Sequence, residues 1–312
     1  PNTNFGINIK LPSDLVTHNT AILGILGIGK SCLTFELIKK TIAETNTKII
    51  CIDITNQYFN ELPNYVNKGL NQIDYDNINS MISPNYKSIN KDIEEGGNHK
   101  QFKSSIVSIL DNFLKSDIDR VLIINPQMFN VSSQVGEVKN KKIGSGPSDW
   151  AEVASMRDLS IAEITRIISE VSLDLCKVLG TTDEARLLLV FEEAHSLIPE
   201  WNSASNDGDK SATNGTAKVI LQGRKYGLGT FVITQRTANI SKSILNQCNT
   251  IFAFRIFDDT GKQFLENYIG SDYSNLLATL EERYCVAIGK ALKLKQPIIL
   301  ELNNMNDIVI NK

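Results

Sequence analysis

The sequence predicts an α/β protein built on a mostly parallel sheet with helices on both faces. Three observations lead to that expectation. Short apolar runs alternate with longer amphipathic segments along the 312 residues. Those runs are nearly continuous in Val, Ile and Leu, as in strands buried on both sides. One of them passes through a glycine-bearing turn, "GILGIGKS" at 24–31, directly into a helical pattern.

The elements follow in order. "TAILGI" (20–25) reads as a buried strand and "KSCLTFELIKKTIAE" (30–44) as the helix after it. "TKIICIDI" (47–54), "DRVLIINP" (119–126) and "ARLLLVFEE" (185–193) supply further strands. "GTFVIT" (229–234), "TIFAFRI" (250–256), "YCVAIGK" (284–290) and "QPIILEL" (296–302) complete the set. Helical spacing marks 160–179 and 259–270. Residues 58–118 open with a stretch rich in Asn, Tyr, Asp and Lys, and we read them as a polar, mainly helical insertion. The tracts 134–150 and 200–215 lack periodicity and are expected to be mobile loops.

Composition narrows the function classes. An apolar fraction of 42% and a charged fraction of 21% are those of an ordinary soluble globular protein. No apolar run approaches the length of a membrane span, so no membrane association is expected. The five cysteines (Cys32, Cys51, Cys176, Cys248, Cys285) form no C-x-x-C pair, and only three histidines occur. That pattern argues against a disulfide framework or a zinc site and fits a cytoplasmic protein. A net charge of −3 does not advertise nucleic-acid binding, which would need a local basic patch multiplied by symmetry.

The segment 24–31 has the spacing G-x-x-x-x-G-K-S between a strand and a helix. Backbone N–H groups and the positive end of a helix hold phosphate oxygens. Gly24, Gly27 and Gly29 let the chain curl close to them, and Ile28 and Cys32 lie on the same curve. Lys30 reaches outer phosphates, and the Ser31 hydroxyl suits Mg²⁺. Such a loop needs an acidic strand end, and "LLLVFEEAH" provides Glu192 and Glu193. "GLGTFVITQRT" ends in Gln235, placed either to contact a γ-phosphate or orient water, or merely to cap a loop. Arg224, in "LQGRKYG", is either a functional cation or a helix-end charge favoured by the dipole. Arg255 is a further candidate for a phosphate or subunit contact, while His195 lacks metal-ligand partners and reads as structural.

These motifs resemble those of the HerA-like ATPases of the HerA/FtsK superfamily, and the resemblance runs through nearly the whole chain. "HNTAILGILGIGKS" is similar to the family's phosphate loop, "IICIDITNQY" to its second strand, and "LVFEEAHSLIP" to its acidic strand. "GRKYGLGTFVITQR", followed by "ILNQCNTIFAFRI", is the most specific match, and 276–302 resembles the closing strands.

The resemblance implies a RecA-like P-loop core over 1–312 that forms homohexameric rings. ATP and Mg²⁺ would bind at Lys30 and Ser31, with Glu192 in the metal shell and Glu193 as catalytic carboxylate. Gln235 would sense the γ-phosphate and Arg224 would enter a neighbour's site as an arginine finger. It also implies a translocase or helicase on double-stranded DNA, working with a nuclease or other effector in DNA-end processing or anti-phage defence. Basic residues in "EVKNKK" (137–142) would then face the ring channel or form an ordinary solvated loop. Two alternatives are a non-translocating scaffold that regulates an effector and a coupling ATPase of conjugation or secretion. Three departures stand out: Glu192 where the family usually has Asp, an apolar loop, and no counterpart in 1–23 of the β-barrel that typically precedes the core.

Overall fold

Strict alternation of buried side chains builds the sheet and the two layers around it. In β1 (Thr20–Leu23), Ala21 and Leu23 enter one core while Ile22 enters the other. The same split runs through β2 (Lys48–Ile52), where Ile50 and Ile52 oppose Ile49 and Cys51. The remaining strands are β3 (Leu70–Gln72), β4 (Val121–Ile124), β5 (Ser132–Lys142), β6 (Trp150–Asp158) and β7 (Thr182–Phe191), then β8 (Tyr226–Thr234), β9 (Thr250–Ala253), β10 (Tyr284–Gly289) and β11 (Leu294–Glu301). The computed structural model describes residues 16–62, 70–82, 97–142, 150–200, 207–292 and 294–302.

Nine strands form one sheet in the order β11-β10-β9-β1-β8-β7-β2-β4-β3. The seven from β9 to β3 are parallel, and β10 and β11 close one edge antiparallel. Parallel pairing brings the carboxyl ends of β1, β2, β7, β8 and β9 to a single edge, where every candidate except Arg224 is located.

Helix α1 (Lys30–Glu44) covers one face with Leu33, Phe35, Leu37 and Ile38. After it come α2 (Gln57–Glu61), α3 (Tyr75–Ile82) and α4 (His99–Lys115), then α5 (Ile161–Val178), α6 (Ala194–Leu197), α7 (Asp207–Gly223) and α8 (Asp259–Ile269). The other face is covered by α4, α5 and α7. α4 buries Phe102, Ile106, Leu110 and Phe113 on one stripe, each worth about 1.5–3 kcal/mol by area removed from water. α5 starts with a reciprocal capping box between Ser160 and Glu163, and Arg157 clamps the Glu163 carboxylate at 2.6 and 2.5 Å.

The structure differs from the sequence reading in three places. Within 58–118 the described residues include β3, which pairs with β4, and the buried stripe of α4. That segment is therefore woven into the sheet and core besides carrying polar helices. The tract 134–150, read as a loop, belongs largely to an antiparallel hairpin of β5 and β6. Its Lys- and Asn-rich composition hid the strand pattern, since neither face shows apolar alternation. The tract 200–215 is helical from Asp207, although "DGDKSATNG" is made of poor helix formers. Close packing on α5 compensates: a Cβ at Gly215 would come within 2.4 Å of the Arg166 side chain. Residues 201–206 and 143–149 lie outside the described set. Among the described residues no helix is long and apolar enough to cross a membrane.

Candidate active site

β1 stops at Leu23, two residues before the run "TAILGI" ends, because Gly24 turns the chain with φ 150°. A Cβ there would sit 2.6 Å from Phe254 Cβ, so only glycine fits against the end of β9. The loop is stitched to its neighbours by the Gly24 N–H donating to Thr234 O at 3.2 Å and the Ile25 N–H to Arg255 O at 3.0 Å. Gly27 and Gly29 also take positive φ, and Gly29 caps α1 in the left-handed region. Ile28 is buried beneath the loop, and its carbonyl accepts the Arg283 N–H at 2.9 Å. The apolar loop residues thus divide their work, with Ile28 anchoring the turn and Leu26 standing 78% exposed at its tip.

A cleft of about 690 Å³ opens over this loop. It is lined by Gly27, Lys30 and Ser31 on one side, and by Glu192, Glu193 and Arg283 on others. The Lys30 ammonium folds back to donate to the Ile25 carbonyl at 2.7 Å. Burial lowers its pKa, opposed by the two carboxylates. The Ser31 hydroxyl donates to Gln57 Oε1 at 3.3 Å. Cys32, also lining the cleft, has its thiol pKa raised by burial and by Glu36.

The paired acids occupy unlike surroundings. Glu192 is buried at the end of β7, its N–H donating to Ile52 O at 3.0 Å. Burial, with Asp53 and Glu193 nearby, pushes its carboxyl up to about 8 against the opposing Tyr58 hydrogen bond and Lys30 charge. Glu193 follows in the left-handed region at φ 52°. Burial would raise its pKa, but His195, Lys30 and a Gln235 hydrogen bond outweigh it and hold the group below the usual range. His195 Nδ1 lies 3.1 Å from Glu193 Oε2 and 3.1 Å from Thr234 Oγ1. It therefore links the acidic strand to β8, a contact that the structural reading of this residue did not include.

Five sequence candidates are not among the lining residues: Gly24 and Ile28 shape the loop from within, Gln235 reaches the site through its hydrogen bond to Glu193, and Arg255 and Arg224 point elsewhere. Arg255 donates to the Leu280 carbonyl while its own carbonyl holds Ile25, so it braces the loop from behind. Arg224 is exposed on the turn between α7 and β8, beside a second cleft lined by His18, Asp183 and Lys225. Nine strand residues at about 3.3 Å each put Arg224 roughly 30 Å from Gln235 and the loop.

Residues 2–269 match the family described as the central domain of the helicase HerA. The chain belongs to that family. It is 22% identical to the DNA double-strand break repair helicase HerA of Sulfolobus acidocaldarius, across 95% of this chain and 67% of the relative. With the probable HerA helicase of Methanocaldococcus jannaschii it shares 28% identity, over 49% of this chain and 30% of that protein. The chain spans at most about two thirds of the length of these HerA relatives. In fold it is similar to the genome packaging NTPase B204 of Sulfolobus turreted icosahedral virus 2, solved in complex with AMPPCP (TM-score 0.51, 13% identity, 94% of this chain and 100% of that one). VirB4 of Thermoanaerobacter pseudethanolicus is comparably similar (TM-score 0.51, 10% identity, 92% and 89%). The chain is thus a HerA central domain on a mostly parallel α/β sheet of the RecA-like kind.

Within this HerA core, "IICIDITNQY" (49–58) resembles the family's second strand, but the sequence reading assigns no site role to the segment after β2. Asp53 Oδ1 accepts the Thr55 N–H at 2.8 Å and hydroxyl at 2.6 Å, and Oδ2 accepts the Tyr58 N–H at 2.9 Å. Thr55 and Gln57 then line the cleft. The available signal was an acid closing an apolar strand, in the register of Glu192 on β7. Arg283, at φ 69°, was also missed, because nothing in "EERYC" distinguishes it from a surface arginine.

Proposed function

We propose that this protein is an ATP- and Mg²⁺-dependent motor of the HerA type. In this reading it assembles as a homohexameric ring and moves double-stranded DNA for a nuclease or other effector subunit in the cytoplasm. The observation that carries the reading is the meeting of Lys30, Ser31, Glu192 and Glu193 in one cleft at the carboxyl edge of the sheet.

The donor set fits the nucleotide. Loop N–H groups and the amino end of α1 take the phosphates, and Lys30 exchanges the Ile25 carbonyl for an outer phosphate oxygen. Among the described residues no cluster of three or more His, Cys, Asp or Glu side chains stands ready to hold a metal alone. A cation here would share its shell with phosphates and water, with Ser31 and Glu192 as protein ligands. When bound, Mg²⁺ neutralises charge developing on the phosphate oxygens. Glu193, kept ionised by His195 and Lys30, takes the proton of the attacking water, which Gln235 orients. Attack at the γ-phosphorus breaks its bond to the bridging oxygen and releases ADP and phosphate.

The position of Arg224 supports action between subunits, since roughly 30 Å of β8 separates it from its own cleft. Arg255 acts on the loop through its backbone and Leu280 rather than on phosphate. Lys139, Lys141 and Lys142 lie on β5, and six copies of that hairpin would concentrate positive charge that the net −3 conceals. A second reading, a non-translocating ring that organises an effector, draws on that acidic balance. Salt-dependent binding to linear duplexes, with a native mass of six chains when an ATP analogue is bound, tests the motor reading. An effector complex that is stable without DNA, and no duplex binding at low salt, would favour the scaffold.

A further inference from the structure

We propose that Tyr58 is a positioning residue that holds Glu192 in place for the cation of the bound nucleotide. This inference rests on the ATPase reading of the cleft and assigns a role to the residue that closes the "IICIDITNQY" stretch (49–58).

Tyr58 is fully buried and fixed at three points. Its N–H donates to Asp53 Oδ2 at 2.9 Å, which ties it to the end of β2. Its ring packs edge-on against Phe35 of α1, with centroids 5.1 Å apart and planes at 74°. Its hydroxyl donates to Glu192 Oε2 at 2.7 Å. The phenol therefore joins the helix after the phosphate loop, the β2 end and the acidic end of β7.

A buried phenol hydroxyl requires a partner, and Glu192 supplies it. With Oε2 committed to Tyr58, Oε1 is the oxygen left for the cleft, which Glu192 lines. The restraint matters because a glutamate arm has an additional rotatable bond compared with aspartate and loses more freedom when fixed. The Glu192 backbone is already pinned to Ile52, so Tyr58 removes much of the freedom left in the side chain. Asp53 sets both ends of this device, since the same carboxylate shapes the turn that carries Thr55 and Gln57. Gln57 in turn accepts from Ser31, the other protein ligand proposed for the cation.

The test uses the full chain and a fluorescent ribose-labelled ATP, titrated once with Mg²⁺ and once in EDTA. Wild type should bind more tightly with Mg²⁺. Tyr58→Phe keeps the ring and should lose about tenfold of that metal-dependent gain, the lower end for a hydrogen bond to a charged group. Its affinity in EDTA should stay within about twofold of wild type, and turnover at saturating ATP should fall about tenfold. A purely packing role would weaken both titrations alike. A full metal-dependent gain in Tyr58→Phe overturns the proposal. Should Tyr58→Phe fail to fold, Tyr58→Leu serves instead, since it removes the hydroxyl and leaves Glu192 in place, and the same selective loss is expected. Full metal-dependent gain in Tyr58→Leu then overturns the proposal. Wild type that binds no labelled ATP in either buffer overturns the nucleotide reading itself, a result distinct from either variant outcome.

Discussion

Replacing Glu192 by Gln should change how the stability of the nucleotide-free protein depends on pH. Glu192 is 4% exposed, and its carboxyl is pushed from 4.5 up to about 8 by burial first, then by Asp53 and Glu193. Its folded-state pKa lies above the unfolded value. The stability tied to its neutral form is therefore complete below about pH 4.5 and is lost as pH rises towards 8. At about 1.4 kcal/mol per pH unit, that interval is worth up to about 5 kcal/mol. Glutamine cannot ionise and escapes this loss. Since 1 kcal/mol moves Tm by about 2–4 °C in domains somewhat smaller than this, the Tm of Glu192→Gln should gain about 5–10 °C on wild type between pH 5 and pH 8.5. Differential scanning calorimetry across that range, without nucleotide, reads the difference directly. Parallel curves for the two proteins would refute the reasoning, because they would mean that Glu192 titrates normally in the folded state.

The other predictions concern the cleft and its neighbour. Lys30→Ala should weaken ATP binding about tenfold to a hundredfold, as measured by equilibrium titration, through loss of a charge-assisted contact. Glu193→Gln should still bind ATP while turnover falls by about 10²–10⁴, read by phosphate release. Mixed Arg224→Ala and Glu193→Gln chains should recover part of the activity that each lacks alone, because an intact Arg224 can then face an intact Glu193. No recovery at any mixing ratio would confine Arg224 to its own chain. Gly24→Ala should lower stability by more than about 1 kcal/mol, read by urea melts, because its Cβ would meet Phe254 Cβ at 2.6 Å and φ is already 150°.

Much of this arrangement was legible in the residues. The apolar strands announced themselves, since β2, β4, β7 and β8 are nearly continuous in aliphatic residues and lie in the sheet interior. The loop, Glu192, Glu193 and Gln235 were visible because each follows directly on such a strand. Arg255 was not, because the motif gives its place at the end of β9 and not the direction of its side chain, which turns to Leu280. The β5–β6 hairpin stayed hidden because the sequence of β5 shows no repeating apolar alternation. The first half of α7 stayed hidden because packing on α5 overrides its weak propensity. The role of Tyr58 was hidden for a third reason. Its partner lies 134 residues away on β7, a separation that only the sheet order closes.

Steady-state ATP turnover of the intact chain, with and without long linear duplex DNA and with Lys30→Ala as the blank, decides whether this cleft drives a DNA motor. A DNA motor with its nucleotide in this cleft should show turnover that Lys30→Ala abolishes and that duplex DNA stimulates several-fold. Turnover unaffected by DNA would contradict the motor, and turnover surviving in Lys30→Ala would contradict the cleft itself.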